Sequence, residues 1–395
     1  MFAVSKSSIF KDVDKLSPRY VPRFLHYRED QIGLLSSFVE TALDNVERVH
    51  LRVVQLVGPV GTGKTSTAIR FGNMLQEKAL KLKIRLKHVY LNGKMDGTNR
   101  YTLYRRLLSA VVPDMATRSL SPEEMLRQLM NFLRGEDQYL LITMDEIGYF
   151  CTHSNEPLVY NLTRLNELTV PDPCRVIGVI FIARDLTFYE RLDASELSTL
   201  GRLVITFPRY TEQQIGDILE VRVEEAFKPG TVGDDLIDFV SDVTASSPIN
   251  GDLRVALDLL YYSGMLAERE GYERVLPEHV RKVLGETHPS ITTEDILYLS
   301  DAGKMILLGM VRALQASRVP YIGLREIRED YEVVCEEYGV KRVEDVEEEI
   351  QELIDRGIVD MKSLTKFGIS GVSAGDLERF LNGIMQRLKN GLGEE

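Results

Sequence analysis

The stretch Gly58-Pro59-Val60-Gly61-Thr62-Gly63-Lys64-Thr65 constrains this chain more than any other. It fits a pattern of one glycine, four free positions, then Gly-Lys-Thr/Ser. A mostly apolar run, Val53 to Val57, leads in and reads as a buried strand. A helical pattern, Ser66 to Leu75, leads out. Glycines there let successive backbone N–H groups turn inward around a phosphate. The following helix puts the positive end of its dipole at the same point. In such a loop Lys64 neutralises the β- and γ-phosphates, and the Thr65 hydroxyl holds Mg2+. Ser66 closes the binding set. The bland alternative is a Gly-rich turn before an ordinary helix, and the flanking strand and helix weigh against it.

The second signal is Tyr139-Leu140-Leu141-Ile142-Thr143-Met144-Asp145-Glu146. A near-continuous apolar run is a strand buried on both faces, as in a parallel sheet. Ligands of open α/β sheets sit at the carboxyl ends of strands. Asp145 is therefore placed to hold Mg2+, and Glu146 to orient or deprotonate an attacking water. Two acids at a strand end would mean little without the phosphate loop about eighty residues earlier.

Further strands are expected over Arg85–Leu91, Val176–Ala183 and Leu203–Phe207, between helical segments. Alternating strands and helices argue for a doubly wound parallel layer. The 395 residues leave room for two or three domains. No apolar run approaches the ~20 residues of a membrane span. The segment Met1–Asp30 is mostly irregular and lacks a signal-peptide core. Cys151, Cys174 and Cys335 are scattered, without metal-ligand spacing, and read as free thiols. These features point to a soluble cytoplasmic protein. The net charge of −12 means that any nucleic-acid footprint is a local patch.

Two helical segments admit two readings each. Gln31–Leu43 lies beside a nucleotide base or simply packs. Asn99–Val112 interleaves Arg100, Arg105 and Arg106 with Tyr101 and Tyr104. Such a segment touches a nucleic-acid backbone, or is a solvated face.

From Thr211 the pattern turns helical, opening on the capping box Thr211-Glu212-Gln213-Gln214. Helices continue over Leu236–Val243, Gly251–Glu268 and Pro277–Leu284. After a linker at Thr287–Ile291 come three more, Met305–Leu314, Leu324–Tyr338 and Val343–Asp355. A hairpin over Ile358–Met361 and Phe367–Val372 follows, then a last helix, Asp376–Leu388. Three helices and a hairpin is the winged-helix form of helix-turn-helix.

These residues resemble the archaeal initiator family related to the origin recognition complex and the cell division control ATPase, within the AAA+ ATPases. The resemblance runs from Ser8-Ile9-Phe10 through Tyr20-Val21-Pro22, His26-Tyr27-Arg28-Glu29-Asp30-Gln31 and the phosphate loop. It continues through Met144-Asp145-Glu146, Leu192-Asp193, Tyr210-Thr211 and Gly251-Asp252-Leu253-Arg254. The fold it implies is α/β: an AAA+ core with a parallel sheet over 1–210, a small all-helical lid over 211–288, and a winged-helix DNA-binding domain over 289–395. By the same resemblance Val21, Pro22, Tyr27 and Arg28 border the adenine, and Arg254 is the lid's sensor arginine. The implied function is a replication initiator that binds ATP or ADP with Mg2+, holds duplex origin DNA in the nucleoid and helps recruit the replicative helicase, beside a paralogous initiator.

The chain departs from that family in three places. Where the strand Val176–Ala183 should end in a polar asparagine, Arg184 follows. Where Asp-Pro-Arg is common, the chain has Asp193-Ala194-Ser195, so Ser195 replaces the arginine finger. Such fingers are worth about 10³–10⁵ in rate, so nucleotide binding with slow hydrolysis is expected. Third, the expected recognition helix carries Glu344, Asp345, Glu347, Glu348, Glu349 and Glu352. Carboxylates facing phosphates repel them. Residues 289–395 hold 13 Lys and Arg against 21 Asp and Glu, a net of −8. The basic handles left are Lys341 and Arg342 at the helix start, and Lys362 and Lys366 in the wing. The competing function is a nucleotide-switched module whose acidic domain binds a basic protein. A remodelling ATPase unconnected with replication is a third.

Overall fold

A computed structural model describes residues 9–44, 50–170, 172–289, 291–343 and 345–391, with side chains described as far as residue 387. Residues 1–8, Ser290 and Glu344, on which parts of the sequence reading fall, lie outside the described residues. The chain forms two compact units, one of residues 21–210 and one in which residues 9–20 join 211–391.

In the first unit, helix α1 (Glu29–Val39) precedes strand β1 (Arg52–Val57) and helix α2 (Lys64–Lys81). Next come β2 (Arg85–Asn92), α3 (Arg100–Val111), α4 (Pro122–Gly135) and β3 (Gln138–Asp145). Two short helices, α5 (Ile147–His153) and α6 (Leu158–Thr163), lead to β4 (Val176–Ala183), α7 (Ala194–Leu200) and β5 (Val204–Thr206). The strands form one parallel sheet in the order β2-β3-β4-β1-β5. β3 and β4 lie in its middle, and every residue of β4 is buried. That explains why both read as unbroken apolar runs. Apolar layers cover both faces. One comes from α3 and α4, including Leu103, Leu107, Leu126 and Leu129. The other comes from α1 and α2, including Leu35, Val39, Phe71 and Leu75. Helix α4 is fixed at its start by a reciprocal capping box between Ser121 and Glu124, followed by Pro122.

The second unit starts with a strap over residues 9–20 that packs on lid helices. The amides of Lys11 and Asp12 donate to the Ala226 carbonyl at 2.8 and 3.0 Å. The Phe10 ring lies 4.9 Å from that of Phe227. A Cβ on Gly264 would sit 2.4 Å from the Phe10 ring, so a glycine is required there. These contacts are why the strap groups with the lid and not with the core, where the sequence reading put it.

The lid helices are α8 (Glu212–Ala226), α9 (Asp234–Ala245), α10 (Leu253–Arg269) and α11 (Pro277–Thr287). The Thr211–Gln214 capping box opens α8, and Pro277 stands in the first turn of α11. The terminal part holds α12 (Thr293–Leu297), α13 (Asp301–Ser317), β6 (Tyr321–Ile322), α14 (Leu324–Tyr338) and α15 (Val346–Asp355). It ends with β7 (Asp360–Ser363), β8 (Lys366–Gly368) and α16 (Ala374–Gly391). β8 pairs antiparallel with both β6 and β7, so the expected hairpin is real, with its first strand two residues further on, its second strand shorter, and a third strand added. Helix α15 buries Val346, Ile350 and Leu353, and Gly357 after it takes φ 70°. Among the described residues no helix is long and apolar enough to cross a membrane.

Candidate functional site

The sheet order sets three strand ends side by side: β3, β4 and β1. β1 runs into the phosphate loop, β3 ends in Asp145, and β4 ends just before Arg184. Val57 pairs with Ala183, and the Gly58 amide donates to the Ala183 carbonyl at 3.3 Å.

The loop takes the shape its glycines permit. Gly61 and Gly63 adopt φ of 74° and 84°, left-handed values that side chains disfavour. Gly58 meets a different limit, since a Cβ there would lie 2.3 Å from the Phe207 carbonyl oxygen. Lys64 is buried and its ammonium donates to the carbonyls of Gly58 and Pro59, both at 2.6 Å. Pro59 and Val60 are half-buried, while Gly61 and Thr62 are buried. Helix α2 begins at Lys64, so Lys64, Thr65 and Ser66 form its first turn. The Thr65 hydroxyl donates to Asp145 Oδ2 at 2.7 Å. The two signals found eighty residues apart in sequence therefore touch.

Asp145 is 5% exposed and fully engaged. Its Oδ2 also accepts the Tyr90 hydroxyl at 2.8 Å, and its Oδ1 accepts the Glu146 amide at 2.7 Å. Burial and the Asp145 charge push the Tyr90 hydroxyl pKa up, so it stays a donor. Glu146 adopts φ 53°, which turns the chain sharply from β3 into α5. Its Oε1 pairs with the Arg184 guanidinium at 3.3 Å. Thr65 and Asp145 are hard oxygen donors, the kind that suits Mg2+, which usually takes one or two carboxylates plus substrate phosphates. No group of three or more His, Cys, Asp or Glu among the described residues is arranged to hold a metal alone. That donor set fits a cation shared with a phosphate.

Arg28 is 2% exposed and braces the loop. It donates to the carbonyls of Thr62 at 2.8 Å and Pro208 at 3.0 Å, and to that of Tyr27 at 2.6 Å. Its guanidinium lies 3.9 Å from the Tyr210 ring centre. Val21 and Pro22 are half-buried and Tyr27 is at the surface with φ 63°. In the other unit, Arg254 is exposed in the first turn of α10.

The basic residues singled out for DNA are mostly engaged with carboxylates. Arg100 pairs with Glu123 at 3.0 Å and Glu156 at 3.4 Å, and Arg106 with Asp96 at 3.8 Å, while Arg105 is exposed. Arg342 pairs with Glu332 and Glu336 at 2.9 and 2.8 Å. Lys362 pairs with Glu212 and, at 3.2 Å, with Asp242. Lys341 and Lys366 are exposed. On α15, Glu347 pairs with Arg328 and Glu352 with Arg356.

The sequence reading missed three features of the site: Tyr90 beside Asp145, the Arg28 brace, and the pairing of Arg184 with Glu146. Only strand register and tertiary packing bring these residues together.

Comparison with known proteins agrees with this architecture. Residues 48–192 match the AAA domain family, and residues 216–284 match the Cdc6 AAA+ ATPase-type lid domain. The chain is 32% identical over 347 residues to the ORC1-type DNA replication protein 1 of Aeropyrum pernix, covering 86% of this chain and 84% of that protein. Its fold is similar to the crystal structure of Cdc6p from Pyrobaculum aerophilum, with TM-score 0.83, 28% identity and 96% and 99% of the two chains covered. It is also similar to the Aeropyrum pernix ORC1 protein solved in complex with DNA, with TM-score 0.62, 28% identity and coverage of 96% and 98%.

Proposed function

This chain belongs to the family of ORC1-type DNA replication proteins, and on that premise we propose that it is an ATP-binding initiator that holds duplex origin DNA, helps recruit or load the replicative helicase beside a paralogous initiator, and hydrolyses ATP slowly. The observation that carries the nucleotide part is the 2.7 Å bond from Thr65 to Asp145 beneath the phosphate loop. Lys64 binds the β- and γ-phosphates, and the amides of residues 60–66 cradle them. Thr65 and Asp145 would hold Mg2+, which would neutralise phosphate charge there. Tyr90 holds Asp145 in place. Glu146 orients the water and takes its proton. Val21, Pro22 and Tyr27 border the base, Arg28 stiffens the loop, and Arg254 serves as the lid's arginine. Ser195 carries no charge to a neighbour's nucleotide, which supports slow turnover. The DNA part is supported by the Aeropyrum pernix relative solved with DNA. The contacts proposed are Arg100, Arg105, Arg106, Lys341, Arg342, Lys362 and Lys366.

Calorimetry tests the nucleotide half. Lys64→Ala should abolish ATP and ADP binding while leaving the fold intact, and unchanged affinity would remove Lys64 from the site. Anisotropy with duplex DNA across a salt series tests the other half. A slope of log affinity against log salt worth several phosphates supports the initiator. A flat slope favours the second reading, in which the terminal domain, with its net −8 and its paired basic residues, binds a basic protein instead.

A further inference from the structure

We propose that the turn from α2 into β2 is a separate duplex-DNA contact, in which Lys81, Lys83 and Arg85 bind the phosphate backbone from the edge of the core sheet. The inference deepens the DNA half of the reading above and rests on it.

The charge of the chain is divided unevenly. Residues 21–210 hold 24 Lys and Arg against 21 Asp and Glu, a net of +3, although the whole chain carries −12. One stretch stands out: five of the ten residues from Lys78 to Lys87 are basic and none is acidic. A polyanion is therefore drawn to the core, and within the core to this turn.

Two ordinary uses of lysine explain only part of it. Cations near a helix C-terminus suit the dipole, and Lys78 does this while paired with Glu40. Lysines also blunt sheet edges, and β2 is an edge strand. Yet the His88 amide on β2 already donates to the Gln76 side chain at 2.8 Å, and Lys87 donates to the Ala110 carbonyl of α3. Arg85, its side chain 62% exposed, meets Glu136 at 3.3 Å, a surface pair too weak to keep it from a phosphate. Lys81 and Lys83 are exposed, and among the described residues neither has a carboxylate partner.

The backbone adds a second sign. Helix α2 closes with the Ile84 amide on the Ala79 carbonyl at 2.8 Å and the Lys83 amide on that of Leu80 at 3.0 Å. The residue at such a corner takes a left-handed conformation and is usually glycine. Here it is Lys83, at φ 62°. A lysine held at a strained corner where glycine fits better points to use of its side chain. Leu80 and Leu82 stand 77% and 48% exposed beside it, an apolar face that the deoxyribose carbons of a backbone can cover. The turn leads into the start of β2, whereas Asn92 at the strand's end pairs with Asp145. Seven residues of strand put about 23 Å between the two ends, so loss of these lysines leaves the nucleotide site untouched.

Fluorescence anisotropy with a labelled duplex across a salt series tests this on wild type, Lys81→Ala with Lys83→Ala, and Lys83→Gly. The double variant should bind about tenfold more weakly near about 0.1 M salt and lower the slope of log affinity against log salt by about 1.8, the share of two phosphates. Lys83→Gly should lower the slope by about 0.9, yet melt at a higher temperature than wild type, because glycine relieves the corner. ADP affinity by calorimetry should stay at the wild-type value in both. An unchanged slope in both variants overturns the proposal. So does binding of polyglutamate that the double variant loses while its duplex binding stays, which assigns the turn to an acidic protein. A wild-type chain with no salt-dependent duplex binding overturns the DNA reading as well, so the two failures are distinct.

Discussion

The Arg281 guanidinium, on the last lid helix, donates from Nε to the carbonyl oxygen of Ile369, just beyond the wing strand β8, at 2.7 Å. Its Nη2 reaches the Val319 and Pro320 carbonyls at 3.1 and 3.0 Å, and the side chain is 1% exposed. Nearby Glu278 accepts the Ser373 hydroxyl at 2.7 Å and the Ala374 and Gly375 amides at the start of α16. Tyr321 donates to Asp242. These bonds make the lid and the terminal domain one unit.

Arg281→Leu should therefore do more than remove a surface charge. It leaves three carbonyls without their donor and Glu278 without its nearest cation, a loss of about 3 kcal/mol in that unit. Hydrogen exchange checks it. Amides around residues 319–322 and 366–369 should lose protection, while β1, β3 and β4 in the other unit keep theirs.

What could be read beforehand was local, and what could not was a matter of register and long-range packing. The phosphate loop, the acidic end of β3, the Thr211 capping box and Pro277 carry their meaning within a few residues. Tyr90 does not. It reaches Asp145 because β2 and β3 pair in parallel with Asn92 opposite Asp145, and no spacing in the chain announces that pairing. Arg281 looks like any helical arginine until Ile369, eighty-eight residues on, is folded against it. Arg28 sits in a motif whose resemblance suggests the base, and only the fold shows that it also bonds the carbonyls of Thr62 and Pro208. Phe10 lies among charged and polar residues, and only the ring of Phe227 and the bare face of Gly264 show why the strap belongs with the lid.

Tyr90→Phe removes one of two hydroxyls donated to Asp145 Oδ2, together with the acceptor of the Asn92 side-chain amide at 3.3 Å. Partners that orient a metal-holding carboxylate are worth about 10–100-fold in metal affinity. The Mg2+ concentration that half-saturates ATP binding should rise about tenfold. Nucleotide binding without Mg2+ should not change. Equal loss with and without the cation would mean that Tyr90 serves packing alone.

His88 gives the core a pH dependence. Its ring nitrogen Nε2 lies 2.9 Å from the Thr143 hydroxyl, and a Cβ on Gly72 would fall 2.0 Å from Nδ1. Burial holds its pKa down to about 4 from 6.5. Between those values the unfolded chain takes up a proton that the folded chain refuses. Stability is therefore full above pH 6.5 and falls by about 3 kcal/mol as pH drops toward 4. Denaturant midpoints should follow that slope, and His88→Gln, although less stable at pH 7, should flatten it.

The last prediction concerns how the terminal domain meets DNA. Charge alone makes Lys362 a wing contact, yet it is held by Glu212 and Asp242. Arg342 is likewise held by Glu332 and Glu336. Lys341 and Lys366 are exposed, and among the described residues neither has a carboxylate partner to give up for a phosphate. Lys341→Ala and Lys366→Ala should each weaken duplex binding across all sequences and lower the salt slope by about 0.9. Lys362→Ala should do less. Asp242→Asn with Glu212→Gln releases Lys362 and should raise affinity and the slope, unless the wing lies away from the duplex, in which case neither moves. Glu347 and Glu348 extend the argument to α15. Neutralising both to glutamine should strengthen binding if that helix runs near phosphates, because repulsion is removed. It should change nothing if the face meets solvent. Weaker binding would mean that the carboxylates accept from cytosine amino groups or hold a partner's arginines, and the basic handles would then no longer explain how this domain is held.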